Sequence, residues 1–333
     1  MGPDYTSKKS VSIILPNYNG VDLLKKYLPF TLQAIQNTGV LFEVIVVDDA
    51  STDQSITFIQ NNYPEIVLIA NPQNKGFSHT CNTGIRAAKH ELVLLLNSDV
   101  KLTPNYFEHQ WRYFEREDTF GVMGRIIDLE GDHIQDAARD INFNGFKIKT
   151  NRFFYSQNPE DFVPTAYLSG ANALIDAKKL KEIGGFDELF SPFYSEDLDL
   201  GLRAWRLGWK CWYDHQSICR HQMYATTSKY KPKWVKTIYQ RNRFFVHAIH
   251  LQGFYLLGWY LQILLVDLLP QLLAGKFWLL KSYRQLFNQQ KTIAGSKKNL
   301  ADLMQKKGVK RSIPQIKAEM RELIYHMKVE RLT

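Results

Sequence analysis

Short apolar runs separated by amphipathic stretches set the rhythm of the first hundred residues. Val11–Leu15, Glu43–Val47, Ile66–Ile69 and Leu92–Leu96 have the length and composition of strands buried on both faces. Between them, apolar positions recur at helical spacing over Val21–Gln36, with Asn37 and Gly39 as the stop. A second helix runs from a Ser51 or Thr52 cap to about Asn61, and a third from the loop Asn71-Pro72-Gln73-Asn74-Lys75-Gly76 to about Ala88. Strands alternating with helices predict right-handed βαβ units, hence an α/β fold around a mostly parallel sheet flanked by helices.

In such a sheet, ligands bind outside the carboxyl ends of the strands. Three strands end there in polar or acidic clusters: Asn17-Tyr18-Asn19 after Pro16, Asp48-Asp49, and Asn97-Ser98-Asp99. One such cluster is ordinary turn chemistry; three along one edge predict a site. The carboxylate at Asp99, with an amide and a hydroxyl beside it, suits a hard divalent cation (Mg²⁺ or Mn²⁺) that takes its remaining ligands from water and phosphate. No G-x-G-x-x-G follows the first strand and no G-x-x-x-x-G-K-[ST] occurs anywhere, so a glycine cradle for phosphates is excluded. A mononucleotide here is held by side-chain amides and carboxylates, with a metal at the diphosphate.

The second half adds acids. Ser195 is placed to cap a helix whose first turn carries Glu196, Asp197 and Asp199, where the helix dipole favours negative charge. Acids this close also raise one another's pKa, and one that faces a cleft can serve as a base. Trp205, Trp209, Trp212 and Tyr213 are expected mainly in the core; His215 and His221 follow them.

Composition changes the picture at the far end. The 45% hydrophobic content describes a folded chain, large enough at 333 residues for one large or two modest domains. Three cysteines make no disulfide framework and point to a reducing compartment, and the polar Met1–Ser10 does not read as a signal peptide. From Lys276 to Thr333 there are fourteen Lys and Arg against four Asp and Glu, so the net charge of +9 resides in the tail. Just before it, Phe254–Leu280 is strongly apolar, with Pro270 expected to split it into two pieces, each short of the ~20 residues that span a bilayer. Interfacial or re-entrant helices rich in Trp and Tyr (Tyr255, Trp259, Tyr260, Trp278, Tyr283) next to a basic tail predict contact with an anionic membrane surface. Packing on the preceding domain or forming a homodimer are the alternatives. Nucleic-acid binding is disfavoured, because the aromatic residues are not interleaved with Lys and Arg. The boundary falls at Lys231-Pro232-Lys233-Trp234, giving a catalytic domain over 1–230 (nucleotide half about 10–125, second half about 126–230) and a helical region over 231–333.

Taken in order, Pro16-Asn17-Tyr18-Asn19, Val47-Asp48-Asp49-Ala50-Ser51, Asn74-Lys75-Gly76-Phe77, Asn97-Ser98-Asp99, Gly184-Gly185-Phe186-Asp187 and Glu196-Asp197-Leu198-Asp199-Leu200 resemble the family 2 inverting glycosyltransferases of GT-A fold, over roughly 10–225 and closest to the bacterial rhamnosyltransferase-like branch. The resemblance implies a nucleoside-diphosphate sugar as donor, a glycan or polyprenyl-linked glycan as acceptor, and a place at the cytoplasmic face of the plasma membrane. It puts Pro16, Asn17, Tyr18, Asn19, Asp48, Asp49, Asn74, Gly76, Phe77, Asn97 and Ser98 around the nucleotide, with Asp49 reading the base. Asp99 is the implied metal carboxylate, with Asn97 in place of the first acid of a D-x-D pattern and His221 as a late histidine near the diphosphate or metal. Ser169-Gly170-Ala171-Asn172 lies under the donor sugar, Asp197 is the implied catalytic base, and Glu196 is the next candidate. A nucleotidyltransferase would show a Gly-rich basic loop after the first strand, which Pro16-Asn17-Tyr18-Asn19-Gly20 is not; a non-catalytic scaffold would not need Asp99 and Asp197. Gln240-Arg241-Asn242-Arg243-Phe244 is a distant echo of the Q-x-x-R-W motif of processive polymerases.

Overall fold

A computed structural model describes residues 8–222 and 231–332. The chain begins with β1 (Val11–Asn17), α1 (Val21–Gln36), β2 (Phe42–Asp48), α2 (Ser55–Asn62), β3 (Val67–Ala70), α3 (Phe77–Ala87) and β4 (Leu92–Leu96). The four strands are parallel in the order β3-β2-β1-β4. Having gone outward from β1 to β3, the chain returns to the other side of β1. The direction of winding thus reverses between β1 and β4, where open α/β sheets hold ligands. Leu92–Leu96 is buried throughout, as its composition predicts. Gly84 lets α3 lie close to the sheet, since a Cβ there would stand 2.5 Å from Ile14 Cγ2.

Beyond β4 the sheet turns antiparallel. Asn172–Asp176 pairs with β4 and with Thr119–Ile127, and Lys210–His221 runs parallel to the latter. That last strand also pairs with Val100–Leu102, bringing His221 opposite Val100 and beside the end of β4.

Three local expectations are corrected. Helix α2 begins at Ser55, where Asp53 Oδ1 accepts from the Ser55 N–H and hydroxyl; Ser51 is spent in the preceding loop, its hydroxyl accepting from Asn19 N. Ser195 stands at the N-cap position of Glu196–Arg206 but makes no side-chain capping bond, its backbone being left-handed at φ 70°. Pro270 does not divide the apolar segment. Gly253–Leu273 is one helix of 21 residues, long and apolar enough to cross a membrane and mostly exposed. Its stretch Gln262–Leu268 is π-helical, and that wider winding accommodates the proline's missing N–H.

The break at residue 231 is no seam between two cores. Phe245, Ile249, Trp259, Leu286 and Ile316 share one buried cluster with Phe186, Trp205 and Ile175. Trp259 is fully buried and stacks on His247, so it anchors the core and not an interface. At the far end Val329–Leu332 adds to Phe153–Ser156.

Candidate active site

At the carboxyl ends of β1 and β4 lies a cavity of about 350 Å³. Pro16, Asn17, Tyr18 and Asn19 reach it from β1, Asn97, Ser98 and Asp99 from β4, and Asp49 from beyond β2. Asn74, Gly76 and Phe77 come from the loop before α3, Ser169, Gly170 and Ala171 from the turn before Asn172–Asp176, and Glu196, Asp197 and His221 complete the wall.

Two predicted residues lie outside it. Asp48 is fully buried and accepts from Asn17 Nδ2 at 2.8 Å and Ser51 N at 2.8 Å. It positions Asn17, whose Oδ1 is left buried without a partner. Asn172 is also fully buried, donating to the Gly124 carbonyl at 3.0 Å within the sheet. Both face the core because each is a strand residue one step off the exposed edge.

Asp49 is already occupied. Its carboxylate accepts from Asn71 Nδ2 at 2.9 Å, Gly76 N at 2.8 Å and Lys75 N at 3.1 Å, so it folds the loop that closes the cavity. Gly76 has φ +88°, and a Cβ there would lie 3.0 Å from Pro192 Cα. Phe77 N donates to the Pro192 carbonyl at 3.1 Å. The loop is thereby fastened to the acid-bearing segment.

At the Asp99 end one oxygen is unsatisfied. Asp99 Oδ1 is buried and accepts no hydrogen bond; His221 Nε2 stands 3.4 Å from it. Gln135 Nε2 lies 3.5 Å from the His221 carbonyl, which identifies its amide side. Its Oε1 lies 3.2 Å from His221 Nδ1, and the neutral tautomer with hydrogen on Nδ1 satisfies that contact and turns the Nε2 lone pair toward Asp99. Two lone pairs directed at one another fit a cation between them. A carboxylate and an imidazole with no third protein ligand suit Mg²⁺ or Mn²⁺ whose other positions go to water and phosphate; among the described residues no cluster of three or more His, Cys, Asp or Glu ligands forms.

At the acid end, Glu196 Oε2 is likewise buried and unpartnered. Burial, and next the Asp197 charge, push the Glu196 pKa well above the ordinary carboxylate range. Burial also raises Asp197, opposed by the Leu198 N–H and by Arg139. Asp199, two positions on, behaves differently. It is paired with Arg203 at 2.6 Å and His250 at 2.9 Å, and those partners hold its pKa below the usual value despite burial. It is a structural tie between helices Glu196–Arg206 and Pro232–His250. Tyr194 and Ser195, just before the acids, both have left-handed backbone, at φ 78° and 70°.

Sequence reasoning missed what holds that segment. Asn242 Nδ2 donates toward the carbonyls of Phe190, Phe193 and Tyr194 at 2.6, 2.9 and 2.8 Å, and Arg241 donates to the Ser191 carbonyl. The signal was present in Gln240–Phe244, noted only as an echo of another motif. Pro192, Phe193 and Tyr194 themselves line the cavity. A second cavity of about 930 Å³ adjoins, and Tyr194 and Asp197 line both.

Residues 12–184 match the model of glycosyl transferase family 2. The chain is 26% identical over 238 residues to the chondroitin synthase of Escherichia coli, covering 62% of this chain and 34% of that protein. It is 25% identical over 226 residues to polypeptide N-acetylgalactosaminyltransferase 13 of Homo sapiens, covering 62% and 40%. It thus spans well under half the length of these relatives. Among solved structures, GalNAc-T7 with UDP, GalNAc and Mn²⁺ aligns with a TM-score of 0.65 at 13% identity, covering 97% of this chain and 59% of that one. The mannosyltransferase of Pyrobaculum calidifontis in complex with GDP-Man and Mn²⁺ aligns at 0.53 and 15% identity, covering 97% and 88%. These likenesses are of fold, and with the family match over more than half of the sequence they fix the assignment: the chain belongs to glycosyl transferase family 2 and has the GT-A fold.

Proposed function

We propose that the protein transfers a sugar from a nucleoside-diphosphate sugar to a hydroxyl of a glycan or lipid-linked glycan, with inversion at the anomeric carbon and with help from a divalent cation. The observation that carries this reading is the pairing within one cavity of two half-satisfied sites: Asp99 with His221, and Glu196 with Asp197.

Each part has a task. The buried Asn17 Oδ1 is a free acceptor for a base or ribose donor, and the Tyr18 ring, 38% exposed, offers a face to the base. Asp99 and His221 would hold Mg²⁺ or Mn²⁺, which would supply positive charge against the charge that develops on the leaving diphosphate. Gly170 keeps the wall beneath the donor open, because a Cβ there would meet the Phe77 ring at 3.1 Å. Asp197 takes the proton of the attacking hydroxyl. Its raised pKa makes it a stronger base than a solvated carboxylate. Because it lines both cavities, an acceptor can approach it from the side away from the nucleotide. The exposed apolar helix Gly253–Leu273 and the basic residues after it support docking on an anionic membrane surface at the cytoplasmic face.

The test is a screen of nucleotide sugars for binding and hydrolysis, with Mn²⁺ and with excess EDTA. Cation-dependent release of nucleoside diphosphate from one donor is expected. Donor binding with no turnover under any condition would mark a non-catalytic scaffold, and full activity in EDTA would remove the metal.

A further inference from the structure

The larger cavity runs from Asp197 to the helix Gly253–Leu273, and its chemistry is uneven. Trp259, Ile263, Asp267 and Gln271, spaced four residues apart, place one face of that helix along it. The opposite face is bare: Leu257, Leu261, Leu265 and Leu269 are all more than half exposed. Among the charged residues of the wall, seven are basic and three, Asp136, Asp197 and Asp267, are acidic. Lys147 is neutralised by Asp267 at 2.8 Å. Lys149, Lys233, Lys236 and Arg243 also line the cavity, and none of them has a carboxylate partner within ion-pair distance among the described residues. Burial first, and then the neighbouring Arg243 and Lys147, lower the Lys149 pKa. Arg243 is lowered by burial and by Arg139, with Tyr239 and Asp197 opposing. Cations gathered this closely repel one another, and a bound anion relieves that cost.

We infer that this cavity takes the acceptor as a phosphate-bearing amphiphile, its phosphate on Lys149, Arg243 and Lys236 and its apolar chain following helix Gly253–Leu273 outward. Two observations select this occupant. The unpaired cations lie on the route to Asp197, so the anion sits on the acceptor and not on the donor. The route is also bounded by the one long helix, among the described residues, whose outer face is apolar and exposed, which suits a chain leaving toward lipid and not a free sugar phosphate. The inference rests on Asp197 being the base that the acceptor must reach.

The experiment is calorimetric titration of the full chain with dodecyl phosphate, inorganic phosphate and dodecyl maltoside below micelle formation, and sedimentation with phosphatidylglycerol vesicles. Dodecyl phosphate should bind at least roughly tenfold more tightly than either comparison ligand, the scale of one charge-assisted contact. Lys149→Gln should weaken it by a similar factor, with the unfolding midpoint unchanged. Lys236→Gln, at an exposed helical position, repeats the test where folding is not at stake. Equal binding of inorganic phosphate, or of dodecyl maltoside, overturns the inference. So does vesicle binding accompanied by dodecyl phosphate affinity that neither substitution changes, which would mean surface attraction alone. Donor binding with Mn²⁺, measured on the same samples, separates the two readings. Its absence alongside intact dodecyl phosphate binding counts against glycosyl transfer, and the converse counts against the phosphate site only.

Discussion

The acids in and around the cavity at the strand ends are of two opposite kinds. Asp48 and Asp49 are saturated with protein donors, and they spend their charge on holding a loop and an amide in place. Asp99 and Glu196 each keep a buried oxygen with nothing to accept from. A buried polar atom without a partner costs stability, so it is tolerated where a ligand, an ion or a proton completes it. The same residue types, in similar motifs, thus divide into those whose oxygens are taken up by the fold and those with an oxygen left open. Asp197 and Asp199 repeat the contrast within one helical turn: the paired acid has a lowered pKa and the cleft acid a raised one.

The sharpest way to break this division is Asp197→Asn. Turnover should fall by about 10²- to 10⁴-fold, the usual worth of a general base, while donor affinity measured by calorimetry changes little. A parallel loss of donor affinity would count Asp197 among the acids taken up by the fold. Next comes Gln135→Leu, which removes the group orienting His221. Mn²⁺ affinity in the presence of nucleoside diphosphate should drop by roughly 10- to 100-fold, as for other residues that orient metal ligands, and undiminished affinity would detach His221 from the metal. Asp49→Ala should cost about 1–3 kcal/mol of stability by chemical denaturation, since it strands the Lys75 and Gly76 N–H groups. No loss of stability would mean that Asp49 is free to act on ligand. The last test, Glu196→Gln, is read as a pH dependence. Glu196 keeps its proton in the folded chain at pH values where the unfolded chain has released it, so its contribution to stability declines as pH rises above its ordinary value of 4.5 toward the raised folded value. The substitution should therefore stabilise the protein more at pH 8 than at pH 5, and a pH-independent difference between the two proteins would show that Glu196 has an ordinary pKa.

Much of the site was legible because it hangs on strand ends. Period and run length placed β1, β2 and β4 within two residues at each end, β1 running on through Pro16 to Asn17, and with them Asp49 and Asp99. What escaped depends on contacts between distant residues with no local pattern. Gln135 meets His221 across 86 positions and Asn242 meets Tyr194 across 48. Whether a carboxylate is saturated, as at Asp49, or bare, as at Glu196, is likewise decided by backbone groups that come from elsewhere in the fold. Pro270 misled for a related reason. A proline breaks a regular α-helix, but the π-helical turns before it change the register in which its missing N–H would have counted.

Asn242 has one more implication. A single amide grips three carbonyls of the stretch that delivers Tyr194 and, one residue later, the left-handed link to the acids. Helix Pro232–His250 and that stretch therefore travel as one piece. The following helix, Gly253–Leu273, is apolar and mostly exposed. One side chain thus ties the acid-bearing stretch to the helix that leads into the molecule's most apolar exposed segment.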